Sequence, residues 1–308
     1  MKFQYRRIIP SKMKRVGIIR FSALGDIAST IPVVRACKYP PTLITSPIGQ
    51  ALYQDECDSF VVMRNKSVRE GFRALSEIWR NHFDVIVDLQ SNDRSRAMTA
   101  LALTRRVNSK GTNQQQQTTK ILADIAHRTD CFNPIDMSPE SREKSFIVLN
   151  VGSSEKWISK RLPDCKWIEF AEKLKDRFEL PFVMTGSAEE LEYVQHIARL
   201  IPGKIEVAAG KTTIPELKQL LKTACLTVST DSGPMHLSAV QKTPTIGIFG
   251  ATNWIRSAPF GPWSVALFDR TYFATNHPPA SSQLIVGDYY TNIRIEDGLD
   301  HLGLYLDQ

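Results

Sequence analysis

Asp26 follows a glycine at the head of a helix-compatible run in "RFSALGDIASTIP", and it is the first side chain here placed to do chemistry. A carboxylate at such a junction either caps the helix by accepting its free amides or takes a proton from a hydroxyl as a general base. The second such stretch, far along the chain, is "LTVSTDSGPMHLSAVQKTPTIGIFGATN". Its β-branched run ends at Thr230 and turns through Asp231, Ser232 and Gly233, and Pro234 then stands at the first helical position, which proline favours. A helix starting there presents unpaired N–H groups and the positive end of its dipole, and Gly233 has no side chain to obstruct an anion. The combination is suited to phosphate or pyrophosphate. Two plainer readings stay open: Asp231 or Ser232 as a simple cap, and His236 as a packed histidine.

Two further loops follow predicted strands. "GSSEKWISKRLP" joins the hydroxyls of Ser153 and Ser154 to the cations of Lys156, Lys160 and Arg161. That set suits a diphosphate leaving group, which needs its charge neutralised, and it equally suits a solvated basic loop. "TGSAEE" places Glu189 and Glu190 where an acid binds ribose hydroxyls or caps a helix. Other chemistries lack their signatures. There is no G-x-x-x-x-G-K-[ST], no complete G-x-G-x-x-G, no G-x-S-x-G and no Asp-x-Asp pair, and the histidines show no metal-ligand spacing. No metal and no cofactor is expected.

The elements needed to position these loops are those of parallel α/β units, short apolar runs alternating with longer amphipathic ones. Strands are predicted at 15–21, 42–46, 60–63 and 84–90, with a helix at about 68–81 where Phe72, Leu75, Ile78 and Trp79 recur at helical spacing. The polar stretch 108–120 reads as a surface loop and 133–145, rich in turn formers, as an interdomain linker. The βα rhythm restarts at "FIVLNVGSS" and continues through "PFVMTGS", "IEVAAG", "LTVSTDSG" and "TPTIGIFG", and the tail ends in an amphipathic helix. These are two Rossmann-like domains. Their expected bounds are 1–143 and 144–285, with a C-terminal segment at 286–308.

A chain of 308 residues is long enough for two cores. Its 39 Lys and Arg exceed 32 Asp and Glu, and Lys2, Arg6, Arg7, Lys12, Lys14, Arg15 and Arg20 crowd the start without an acid. Such a surplus favours an anionic surface or simply keeps a tail solvated. No secretory leader, no membrane-spanning run and no paired cysteines are visible, so a cytoplasmic protein is expected.

"RFSALGDIASTIPVVRA", "DLQSNDRSR", "SKRLP" and "STDSGPMHLSAVQKTPTIGIFGATN" occur in an order that resembles glycosyltransferase family 9, the ADP-heptose:lipopolysaccharide heptosyltransferases. The resemblance implies a GT-B fold, two Rossmann-like domains facing a central cleft, with a C-terminal helix crossing back to the first domain. It implies inverting, metal-independent transfer of heptose from ADP-heptose to a hydroxyl of the lipopolysaccharide inner core. By match to the family's motifs, Asp26 is the general base. Ser153, Ser154, Lys160, Ser232 and Gly233 hold the donor diphosphate, and Glu190, Asp231, Met235 and His236 complete the donor site, with Glu189 competing for the role of Glu190. Leu162 stands where the family commonly has tryptophan. The acceptor implies a peripheral place on the cytoplasmic face of the inner membrane, with the basic N-terminus against anionic lipid, and no nucleic acid is expected. A different nucleotide sugar, a protein acceptor, or a non-catalytic nucleotide- or nucleic-acid-binding role are the competing readings.

Overall fold

A computed structural model describes residues 13–110, 116–141, 145–250, 252–273 and 288–306. Four of the seven basic residues at the start (Lys2, Arg6, Arg7, Lys12) lie outside it. The other three have partners: Lys14 with Asp130, Arg15 with the carbonyl of Asn81, and Arg20 with Asp26.

The first half runs β1 (Val16–Arg20), α1 (Leu24–Ala28), α2 (Ile31–Arg35), β2 (Thr42–Thr45), α3 (Pro47–Tyr53), β3 (Ser59–Val62) and α4 (Val68–Asn81). It continues with β4 (Val85–Asp88), α5 (Asp93–Leu101), β5 (Arg105–Val107) and α6 (Thr118–Ala126). The second half runs β6 (Ile147–Asn150), a 3-10 turn (Glu155–Lys160), α7 (Asp164–Phe178), β7 (Phe182–Met184), α8 (Leu191–Leu200), β8 (Ile205–Val207) and α9 (Ile214–Thr223). After these come β9 (Leu226–Thr230), α10 (Gly233–Val240), β10 (Thr245–Phe249), β11 (Ser264–Phe268), α11 (Ile295–His301) and α12 (Gly303–Leu306). Among the described residues, no helix is long and apolar enough to cross a membrane.

Both sheets are parallel throughout, with strand orders β3-β2-β1-β4-β5 and β11-β10-β9-β6-β7-β8. Their central strands are apolar on both faces, as helices covering both sides require: β1, β2, β4, β6, β9 and β10 are buried along their whole length. Order reverses between β1 and β4 in one sheet and between β6 and β9 in the other. Loops at the carboxyl ends of such strand pairs splay apart and leave a crevice. Asp26 follows β1, the Ser153–Lys160 loop follows β6, and the Asp231–Gly233 turn follows β9, so topology alone brings the candidate residues to the two crevices.

Three elements depart from the sequence reading. The polar stretch 108–120 is not loop throughout: α6 begins at Thr118, and Gln117 donates to the carbonyls of Ala258 and Pro259 at 3.0 and 2.7 Å, docking this end on the second domain. β5 is short, charged and at a sheet edge, so it carries no apolar run to betray it. Among the described residues, α11 of the C-terminal segment stays on the second domain. α11 packs on β11 and α7, Glu296 pairs with Lys173 at 3.2 Å, and Ile295, Leu299 and Leu302 are buried in the second core. Just upstream, Asn292 donates its backbone and side-chain N–H groups to the buried carboxylate of Asp269. Gly298 then lets α11 lie directly on Ile246 and Leu267.

A polar cluster around the buried side chains of Lys218 and Glu56 joins the two domains. Lys218 of α9 donates to the Leu52 carbonyl and pairs with Asp55 and Glu56 at 2.5 and 2.6 Å. Arg35 of α2 pairs with Glu56 and donates to the Val240 carbonyl. Burial would raise the Glu56 carboxyl, yet these two cations hold it below its usual range.

Candidate active site

A cleft of about 570 Å³ lies between the domains. Ala23, Leu24 and Gly25 line it from the first domain. From the second, the loops after β6, β7, β8 and β9 contribute Ser153, Ser154, Trp157, Lys160, Glu190, Thr213, Asp231, Ser232 and Gly233.

Asp26 sits in the first turn of α1. Its Oδ2 accepts from the Ala23 N–H at 3.1 Å and its Oδ1 pairs with the Arg20 guanidinium at 2.7 Å. Cap and base are therefore not alternatives here, because a carboxylate has about four acceptor positions and these contacts use two. The Asp26 side chain is 49% exposed, whereas Arg20 is buried and also donates to the Leu89 carbonyl. Arg20 fixes one carboxylate oxygen, and Asp26 itself is not among the residues that line the cleft, although its neighbours Ala23, Leu24 and Gly25 are.

α1 and α10 meet at their N-terminal ends, and two glycines permit it. A Cβ on Gly25 would stand 2.7 Å from His236 Cδ2, and one on Gly233 would stand 2.8 Å from a Leu24 methyl. This contact sets how closely the start of α1 approaches the start of α10. Gly25→Ala forces the helix starts apart without disturbing either loop chemically. It should lower turnover about ten- to a hundredfold, the scale expected when reacting groups move by an ångström or less. Steady-state rates with nucleotide affinity measured in parallel test this, and the affinity should change little.

The α10 start is open in the way an anion site needs. Ser232 does not cap it: its hydroxyl receives the Asn150 amide at 2.8 Å and turns back to the Thr230 carbonyl. Asn150 also donates to Ser229, and its oxygen accepts from Thr185. Asn150, a buried polar residue closing an apolar strand, was not singled out in the sequence. That interruption of apolar character was the available signal.

Lys160 reaches the same turn. Its Nζ is 3.0 Å from both the Asp231 carbonyl and Asp231 Oδ2, so Asp231 positions the lysine and is not a cap. Ser153 is buried and donates to the Trp157 carbonyl at 2.8 Å, while the exposed Ser154 lines the cleft. Leu162, at the position of the family's usual tryptophan, is buried in the core, and the indole beside Lys160 is that of Trp157, 5.2 Å from Nζ to ring centroid. Glu190 faces the cleft, its carboxylate packed over Gly152 and bonded to the Ser187 N–H. Glu189 belongs to a separate surface groove with Arg161 and His196.

Met235, expected at the donor site, is fully buried with its sulfur against Gly247 and is not among the residues that line the cleft. His236 packs on Gly25 rather than lining the cleft wall. Burial lowers its pKa below the ordinary 6.5, against the opposing pull of Asp231 and Asp26. An imidazole kept neutral by the fold stabilises the protein fully above the unfolded value, and that contribution is lost as pH falls toward the folded one. Wild-type melting temperature should therefore drop as pH is lowered from 6.5, and His236→Gln should flatten that limb. Parallel melting curves from pH 8 to 5 check this.

The family described as Glycosyltransferase family 9 (heptosyltransferase) matches residues 53–277. The lipopolysaccharide core heptosyltransferase OpsX of Haemophilus influenzae is 23% identical over 287 residues, covering 80% of this chain and 82% of its own. Lipopolysaccharide heptosyltransferase 1 of Campylobacter coli is 24% identical over 304 residues, with 79% and 86% covered. Among solved structures, the glycosyl transferase family 9 protein of Veillonella parvula superimposes with a TM-score of 0.72 at 17% identity, over 95% of this chain and 97% of that one. Heptosyltransferase WaaC of E. coli, solved with ADP, gives 0.67 at 17% identity over 82% and 92%. At these identities the structural likeness establishes the GT-B fold.

Proposed function

The chain belongs to glycosyltransferase family 9, the heptosyltransferases, and from that premise we propose that it transfers heptose from ADP-heptose to a hydroxyl of the lipopolysaccharide core with inversion. The observation that carries this reading is the meeting of α1 and α10, which brings Leu24 and Gly25, just before the half-exposed Asp26, against an uncapped helix start in a cleft that Lys160 also lines. Asp26 takes the acceptor proton as the hydroxyl attacks the anomeric carbon. The C–O bond to the diphosphate breaks in the same displacement, and ADP leaves as an anion. Lys160, Ser154 and the amides at Gly233 neutralise the charge that develops on it.

The donor spans the cleft in the order of the strands. Its transfer end lies by the loops after β9 and β6, and its nucleoside end by those after β7 and β8, where Glu190 meets the ribose and Ile214 and Leu217 form an apolar wall for the base. The names of the relatives, which act on lipopolysaccharide or lipooligosaccharide, support the acceptor, and the ADP in the WaaC structure supports the nucleotide. An acceptor anchored in lipid places the enzyme at the cytoplasmic membrane surface, and the basic surplus of the chain supports an anionic one.

A donor panel tests the reading. ADP-heptose, ADP-glucose, UDP-glucose and GDP-mannose are each incubated with a heptose-deficient core oligosaccharide, and nucleotide release is followed. ADP release with ADP-heptose, dependent on the acceptor, is expected. Turnover only with a uridine or guanosine donor, or only with a protein acceptor, overturns the assignment while leaving the family intact.

A further inference from the structure

Lys160 ends a 3-10 turn of six residues whose Trp157 departs from helical geometry, so its backbone hydrogen bonds form two short pieces, Trp157 N–H to Ser154 and Arg161 N–H to Ile158, rather than a continuous helix. Besides the Lys160–Asp231 pair and the Arg161 contact to Ser153, a further hold on its far end comes from more than a hundred residues away. The hydroxyls of Tyr289 and Tyr290 both donate to one acceptor, the carbonyl of Ser159, at 3.0 and 3.1 Å. Ser159 is the residue immediately before Lys160.

The two rings are themselves fixed. Their centroids lie 4.8 Å apart, both are buried, and both lie against Gly250, where a Cβ would stand 2.4 Å from Tyr289 and 2.5 Å from Tyr290. Phe273 and Tyr272 flank Tyr289, and Asn292 is tied to Asp269 just downstream. Burial raises both phenols, so each stays a proton donor through neutral pH. A rigid aromatic block attached to the ends of β10 and β11 thus grips the backbone next to the lysine.

Resting on the donor reading above, we infer that Tyr289 and Tyr290 are positioning residues for Lys160, fixing the lysine turn so that its ammonium meets the donor diphosphate. They touch the turn and not the donor: neither lines the cleft among the described residues. Their hydroxyls act through one carbonyl, so removing them frees the turn while the rings still fill their sites.

The test is Tyr289→Phe/Tyr290→Phe in the full chain, with ADP affinity measured by calorimetry and amide exchange followed over residues 155–161. Binding of ADP about tenfold weaker is expected, since two hydrogen bonds of ordinary strength are lost. Exchange across the turn should accelerate, the KM for donor should rise, and the KM for acceptor should stay put. A merely structural role would lower the melting temperature and leave the ADP affinity of the folded protein unmoved. Each single phenylalanine variant should show about a threefold effect on ADP, which keeps the inference testable if the double variant does not fold. A folded variant that binds ADP as tightly as wild type overturns the clamp alone. Wild-type protein that binds no ADP overturns the donor reading and the clamp's purpose with it, whatever the exchange shows.

Discussion

Asp26→Asn should lower transfer about a thousandfold, within the range general-base catalysis supplies, while ADP binds as it does to wild type. The substitution keeps shape and volume. Its amide oxygen can still accept from the Ala23 N–H or face Arg20, so the helix start retains a cap. What it loses is the capacity to hold a proton taken from an attacking hydroxyl. ADP affinity is insulated because every loop assigned to the diphosphate comes from the second domain, whereas Asp26 rides on α1 of the first. Asp26→Ala is the less informative variant, since it would also cost about 1 kcal/mol of cap and leave Arg20 buried without its carboxylate. Single-turnover rates with saturating donor separate chemistry from binding. Retention of turnover within about tenfold of wild type would remove Asp26 from the mechanism.

The architecture and the loops were legible in the sequence for one reason: their signals are local. The apolar runs of β1, β4, β6 and β9 announce buried parallel strands, and glycine, proline and short polar residues mark the turns that follow them. Relations between distant residues were not legible. Gly25 reads as a turn residue, yet its smallness is needed against His236, two hundred residues on. Met235 was assigned with the family motif around it, but neighbours on a helix point in different directions and this one points into the core. Trp157 is one of five tryptophans in the chain, and nothing in its spacing says that its indole lies beside Lys160. The return of the C-terminal helix was inferred from the family, and no local sequence signal told that α11 would pack on β11 and α7. Glu190 and Glu189 are indistinguishable in sequence, and the start of α8 decides which one faces the cleft.

Lys160→Gln should lower transfer about a hundred- to a thousandfold by removing the cation that meets the departing diphosphate. It should also weaken the fold, and the two effects can be separated. Asp231 is buried and its Oδ2 pairs with Lys160, so the glutamine variant leaves a buried carboxylate without its counter-charge, at about 1–3 kcal/mol. Adding Asp231→Asn removes the stranded charge. The double variant Lys160→Gln/Asp231→Asn should therefore regain most of the lost melting temperature, as expected for two residues in direct contact, and should regain none of the lost transfer. Lys160→Arg supplies the complementary control: the charge survives on a longer, planar head, so stability should hold while the rate falls by a smaller factor. If the double variant recovers activity along with stability, the lysine serves Asp231 and not the donor, and the charge on ADP must be met by the α10 amides and Ser154 alone.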